Sequence, residues 1–181
     1  MLTDLQTKKL TRYFRVYDID DDGRIESTDF ERIIENVHLL HGLDGNGPNA
    51  LREAYATLWN GLRASADSDG DHAVDLDEWL AYWQRALEDD TRYEAEVEAI
   101  STRILSIFDL DESGTIGRAE FRDFYGVFGL AVSLADAVFE ALDLDGDGSI
   151  SRAELLALSR QFFRGDDVEE PGNLLFGPYG A

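Results

Sequence analysis

Apolar residues along this chain come in short bursts at helical spacing, and runs rich in Asp and Gly separate one pair of bursts from the next. Leu10, Phe14 and Tyr17 lead into the first polar run, and Phe30, Ile33, Ile34 and Val37 leave it on an i, i+3, i+4, i+7 stripe. Leu51, Tyr55, Leu58, Trp59 and Leu62 precede the second, with Leu76, Leu80, Trp83 and Leu87 after it. Val97, Ile100, Ile104 and Phe108 precede the third, with Phe121, Phe124 and Phe128 after it. Leu134, Val138 and Leu142 precede the fourth, with Leu155, Leu158, Phe162 and Phe163 after it. The spacing predicts eight amphipathic helices. Thr28 with Glu31, Ser133 with Asp136 and Ser151 with Glu154 each set an acid three residues beyond a hydroxyl, as a helix N-terminus requires. The insert GLDGNGP, Gly42 to Pro48, breaks the chain between the first two loops. The stretch Glu88 to Glu98 reads either as a boundary between two lobes or as the polar start of the fifth helix.

The polar runs have an internal order that acidity alone does not produce. A calcium ion takes six to eight oxygens, and a twelve-residue loop supplies them from positions 1, 3, 5, 7, 9 and 12, with a Gly at position 6 for the turn. In Asp143 to Glu154, DLDGDGSISRAE, these are Asp145, Asp147, the carbonyl of Ser149, and Ser151 through a water, between the two end acids, with Gly148 at the turn. Residues 18–29 offer Asp18, Asp20, Asp22, the carbonyl of Arg24, Glu26 and Asp29, with Gly23 at the turn. Residues 109–120 offer Asp109, Asp111, Ser113, the carbonyl of Thr115 and Glu120, with Gly114 at the turn and Gly117 leaving position 9 to water. Residues 67–78 offer Asp67, Asp69, Asp71, the carbonyl of Ala73, Asp75 and Glu78, but His72 stands where the others have Gly. Position 8 is Ile25, Val74, Ile116 and Ile150 in turn, apolar residues expected to point into a core while the loops pair as short strands. His72 adopts a left-handed conformation less readily than Gly, so the second loop is expected to be the weakest of four. Asp29 is shorter than Glu and suits the six-coordinate geometry of magnesium, so the first loop is expected to tolerate Mg2+ as well as Ca2+.

These loops are EF-hands, and the whole chain resembles the sarcoplasmic calcium-binding proteins and their bacterial relatives of the calerythrin type. The resemblance rests on Asp29 closing the first loop before FERI, on the insert between loops one and two, and on the ending RQFFRGDDVEEPGNLLFGPYGA. It implies an all-α fold in which four EF-hands form two paired lobes, packed into one compact body. The expected division is residues 1–90 for the first pair, 91–164 for the second and 165–181 for a tail packed on the core. The resemblance implies a calcium-binding protein, and with no nucleophile-base motif or phosphate-binding glycine loop outside the four loops no enzyme is expected. In such families the second loop is often defective, which sets three ions against the four that these loops offer.

Composition agrees. Thirty-eight Asp and Glu against 16 Lys and Arg give a formal charge of -22, which repels nucleic acid and anionic membranes. Calcium itself is the expected partner of a monomeric, soluble, cytoplasmic protein. Cysteine is absent, which excludes disulfides and thiolate metal sites, and no run of about 18 apolar residues occurs. The single methionine is Met1, whereas a calcium sensor presents an adaptable, often Met-rich groove to its target. The sensor reading therefore stands second, after a calcium buffer. Third is a coelenterazine-binding body, suggested by Trp59, Trp79 and Trp83, although the last helix carries neither His nor Trp. His38 and His41 read as C-terminal helix residues favoured by the helix dipole. Leu174, Leu175, Phe176 and Tyr179 are expected to fold back over the seam between the lobes.

Overall fold

The computed structural model of the chain describes residues 1–41 and 47–179. Residues 42–46 of the insert, Gly180 and Ala181 lie outside the described residues, as do the side chains of His41, of residues 47–51 and of Ala54. Helices α1 (Asp4–Tyr17) and α2 (Ser27–His41) flank the first loop with its strand β1 (Arg24–Ile25). The second loop, with β2 (Val74–Asp75), lies between α3 (Gly47–Ala66) and α4 (Leu76–Glu88). The third, with β3 (Thr115–Gly117), lies between α5 (Asp90–Phe108) and α6 (Arg118–Val127). The fourth, with β4 (Ser149–Ser151), lies between α7 (Val132–Leu142) and α8 (Arg152–Arg164), and a 3-10 turn, Pro171–Leu174, follows.

Capping starts several of these helices. Thr3 and Gln6, Asp75 and Glu78, and Ser151 and Glu154 form reciprocal boxes at the heads of α1, α4 and α8, each cap contributing about 1 kcal/mol. Two expected caps are different. At α2 the acid that reaches back is Asp29, taking the Glu26 N–H at 2.7 Å, because the helix begins before Thr28. At α7 the flanking residue is Ala131 with no side-chain cap, because Asp136 is held in a two-point fork by Arg122 at 2.8 and 2.7 Å.

Loops pair two by two. β1 runs antiparallel to β2 with Ile25 opposite Val74, and β3 to β4 with Ile116 opposite Ile150. All four side chains are buried, because the strand's two-residue period sends position 8 to the core face. The two pairs then face each other: α1 packs on α8, α2 on α6 and α4 on α5. No continuous helix joins them. α4 stops at Glu88, Asp89 is extended at φ −114° and ψ 109°, and its carboxylate accepts the Arg92 N–H that opens α5.

One apolar cluster runs through both pairs. Tyr13 of α1 meets Trp79 of α4 edge-on at 5.1 Å, and Trp83 of α4 stacks on Phe163 of α8 at 4.3 Å. In α7 the inward residues are Ala135, Val138, Phe139 and Leu142, while Leu134, expected to face inward, is 43% exposed. The stripe is set one residue later because Phe139 packs edge-on against Phe121, which turns position 134 to solvent.

After α8 the chain doubles back across the first helix. Leu175 and Phe176 are buried, and Leu174 and Tyr179 are half-buried. Lys9 of α1, itself fully buried, donates to the Gln161 and Gly165 carbonyls and to Asn173 Oδ1 at 2.9 to 3.0 Å. Arg12 Nε donates to the Phe176 carbonyl at 3.0 Å. At Gly172 a Cβ would stand 2.4 Å from the Leu158 carbonyl, so only glycine lets the returning chain lie this close to α8.

Candidate metal centres

Two hydrogen-bond devices shape every loop. The carboxylate at position 1 accepts from the backbone of the turn: Asp18 from Asp22 and Gly23 at 3.1 Å each, Asp109 from Ser113 and Gly114 at 2.8 Å each, and Asp143 from Asp147 and Gly148 at 3.1 and 2.9 Å. In the second loop Asp67 accepts from Gly70 and His72 at 2.7 and 3.2 Å. The carboxylate at position 12 straps the loop closed by taking the N–H of positions 2 and 9. Glu120 does this with Leu110 and Gly117, and Glu154 with Leu144 and Ser151, all at 2.8 Å. Glu78 does it with Ser68 and Asp75 at 2.7 and 3.2 Å, and the shorter Asp29 with Ile19 and Glu26 at 3.0 and 2.7 Å.

The acids consequently converge. Oxygens of Asp18, Asp20 and Asp22 lie within 4.8 Å of one another, as do those of Asp67, Asp69 and Asp71. In the second pair of loops the converging sets are Asp109, Asp111 and Glu120, and Asp143, Asp145 and Glu154. The two pairs thus differ: position 12 joins the cluster in the third and fourth loops, and position 5 does in the first and second. Three carboxylates so close repel one another unless a cation lies among them. A donor set made only of oxygens suits a hard cation of the calcium or magnesium kind, so the residues present fit that ion. Of the other predicted ligands, Ser151 and Ser113 turn their hydroxyls to Glu154 and Asp109 at 2.7 and 3.3 Å, and Asp75 caps α4 by accepting from Glu78 N–H at 2.9 Å. Arg24, Ala73, Thr115 and Ser149 occupy their strand positions at or beside β1 to β4.

His72 takes the turn at φ 70°, in line with Gly23, Gly114 and Gly148 at 88°, 83° and 91°. Position 4 is left-handed too, in all four loops: Asp21 at 58°, Gly70 at 77°, Glu112 at 57° and Gly146 at 72°. Each of the first three loops therefore holds one non-glycine residue in this region, and the fourth holds none. The strain at His72 does not single out the second loop. Gly70 and Gly146 carried the signal for position 4.

Burial raises the Asp18 and Asp29 carboxyls above their usual range, against the N–H groups that they accept. Asp71 is lowered instead, chiefly by the hydrogen bond from the Arg24 guanidinium of the neighbouring loop, where Arg24 also stands 3.5 Å from Glu26. Arg32 of α2 lies 3.3 Å from Asp20.

Paired helix-loop-helix units joined by short antiparallel strands, each with a cage of carboxylates, define an EF-hand protein. The family model for an EF-hand domain pair matches residues 101–127 and 112–161, and that for an EF hand matches residues 11–34. The sarcoplasmic calcium-binding protein beta chain of Penaeus sp. is 28% identical over 97% of this chain and 95% of its own. Calerythrin of Saccharopolyspora erythraea is 23% identical over 93% and 98%. Among solved structures, the calcium-loaded apo form of the coelenterazine-binding protein from Renilla muelleri superposes with a TM-score of 0.78 at 21% identity, over 97% of this chain and 99% of that one. The EF-hand models thus match parts of both pairs, and along nearly its whole length the chain is similar to sarcoplasmic calcium-binding proteins and calerythrin.

Proposed function

We propose that the protein is a calcium buffer of the sarcoplasmic calcium-binding and calerythrin type, acting in the cytoplasm as a monomer. Its ligands are the residues at positions 1, 3, 5, 7, 9 and 12 of loops 18–29, 67–78, 109–120 and 143–154. Four calcium ions fill it at saturation, and the first loop accepts magnesium as well. The observation that carries the choice of buffer over sensor is the tail: Phe176 packs between Tyr13 of α1 and Phe162 of α8, and Leu175 lies among Phe108, Phe121, Phe124 and Leu155 of the second pair, surfaces that a sensor would offer to a target helix. Burying a side chain of that size is worth about 1.5 to 3 kcal/mol, so a target would have to displace a well-packed occupant. Calorimetric titration with calcium, with and without millimolar magnesium, tests the proposal together with a hydrophobic dye. A buffer binds tightly in calorimetry and leaves the dye dark. Strong calcium-dependent dye emission from the intact chain would turn the reading to a sensor.

One observation favours a second reading. A cleft of about 380 Å³ between α1, α3, α4 and α5 is lined by Tyr13, Tyr17, Trp79, Tyr82 and Trp83, with Glu96 and Arg103 at its polar side. Its volume falls at the low end of the about 300 to 1,000 Å³ usual for small-molecule sites. Mixing the protein with coelenterazine and following tryptophan emission and calcium-triggered light decides whether this cleft holds such a molecule.

A further inference from the structure

Arg24 belongs to one cage by its backbone and to the other by its side chain. Its carbonyl is the position 7 oxygen of the first loop, while its Nη2 donates to Asp71 Oδ2, a position 5 ligand of the second. The antiparallel register makes this reach possible, since Arg24 stands opposite Asp75 on β2. The other Asp71 oxygen, Oδ1, accepts the Ala73 N–H at 3.0 Å. Asp22 and Asp147 likewise use Oδ1 for the N–H two residues on, at 2.9 and 2.8 Å. In those loops Oδ2 has no partner among the described contacts; in the second loop a guanidinium has it. The corresponding position 7 residues of the second pair, Thr115 and Ser149, are short and neutral. Arg118 and Arg152 beside those loops turn outward to Asp136, Glu140 and Glu98, none of them a predicted ligand.

We propose that Arg24 is a resident competitor for the second cage: it holds the Asp71 oxygen that calcium needs, and so makes this loop fill after the third and fourth, whose ligand carboxylates meet no guanidinium among the described ion pairs. The proposal rests on the calcium reading of the loops. It replaces backbone strain at His72 with cation competition as the reason why the second loop is weak. Calcium entering the second loop must displace the guanidinium or bind beside a positive charge, and both weaken it. The pair is well exposed, 41% on each side, so the effect is that of a surface ion pair, about two- to fivefold in affinity.

The test is a calcium titration of the 15N-labelled full-length protein, following the amides of Gly23, His72, Gly114 and Gly148, one in each loop. In Arg24→Gln the His72 midpoint should fall about two- to fivefold, with the Gly114 and Gly148 midpoints unmoved. Arg24→Lys, which keeps the charge and loses the planar fork, should lie between. Arg63→Gln serves as the control, because Arg63 stands 3.4 Å from the His72 ring and touches none of the predicted ligand carboxylates among the described contacts. An unchanged His72 midpoint in Arg24→Gln overturns the proposal, as does an equal fall in Arg63→Gln. So does a His72 amide silent in both wild type and Arg24→Gln while the other three respond. Silence of all four amides up to millimolar calcium removes the calcium reading itself, and the proposal with it.

Discussion

Phe176 lies face to face with Tyr13, ring centroids 3.9 Å apart and planes 19° off parallel. The end of the chain is thereby stacked on its first helix, and Phe162 completes the sandwich edge-on to Phe176 at 4.9 Å. Phe176→Ala should cost about 3 to 5 kcal/mol in urea denaturation, since the ring is only 3% exposed. Deleting everything after Gly165 should uncover the same surface and raise calcium-dependent dye emission. A deletion that leaves both stability and dye response unchanged would mean that the packing contributes nothing in solution.

Stoichiometry gives a second prediction. Calorimetry should count four calcium ions, and Glu78→Gln, which weakens the strap across the second loop, should leave three. Because Asp21 and Glu112 are left-handed as well, His72→Gly should tighten the second loop no more than Arg24→Gln does. A count of three that Glu78→Gln does not alter would make the second loop a structural element.

For the first loop, Asp29→Glu should raise the preference for calcium over magnesium, because a longer side chain can bring both oxygens to an ion of higher coordination number. Asp29 is buried and both of its oxygens already accept N–H groups, so the variant should also lose about 1 to 3 kcal/mol from overpacking. Magnesium affinity that does not change would contradict the selectivity argument.

Lys9 predicts a pH dependence. Burial lowers its pKa from 10.5 to about 8, against the pull of Glu170 and Asp166. The folded state therefore holds this proton less tightly than the unfolded chain, and the resulting penalty is present in full below pH 8. It is relieved as pH climbs from about 8 toward 10.5. The stability of the wild type relative to Lys9→Met should grow across that window. Below it, the variant should still be the less stable, because it strands the Gln161 and Gly165 carbonyls and Asn173 Oδ1. A difference that shrinks with rising pH would show the amine to be fully charged throughout.

Fixed spacing made the cages legible. Twelve-residue loops with acids at set positions and Ile or Val at position 8 announced the strand pairs, and Ile25, Val74, Ile116 and Ile150 are buried face to face. What a local pattern could not show was distance along the chain. Arg24 and Asp71 are 47 residues apart, and nothing near either one points to the other. Lys9 reads as a surface residue because its partners belong to α8 and the tail. Asp21 and Glu112 conceal a left-handed backbone that only glycine advertises. Leu134 failed by a single step of helical phase, which Phe139 decides through a contact on another helix.

The straps at position 12 bear on speed. Glu78, Glu120, Glu154 and Asp29 are already fixed by N–H groups at both ends of their loops. Each carboxylate oxygen has two lone pairs, so one can keep its N–H while the other faces an ion. The side-chain entropy of these ligands is lost during folding, ahead of any encounter, and binding has no slow reorganisation of the loop to wait for. Loading should then run at the pace at which the ion sheds its water, in the second loop too, because the exposed Arg24 side chain moves aside within nanoseconds. As a brief pulse decays, the second loop, held more weakly because of Arg24, would give its ion back earlier than the third and fourth.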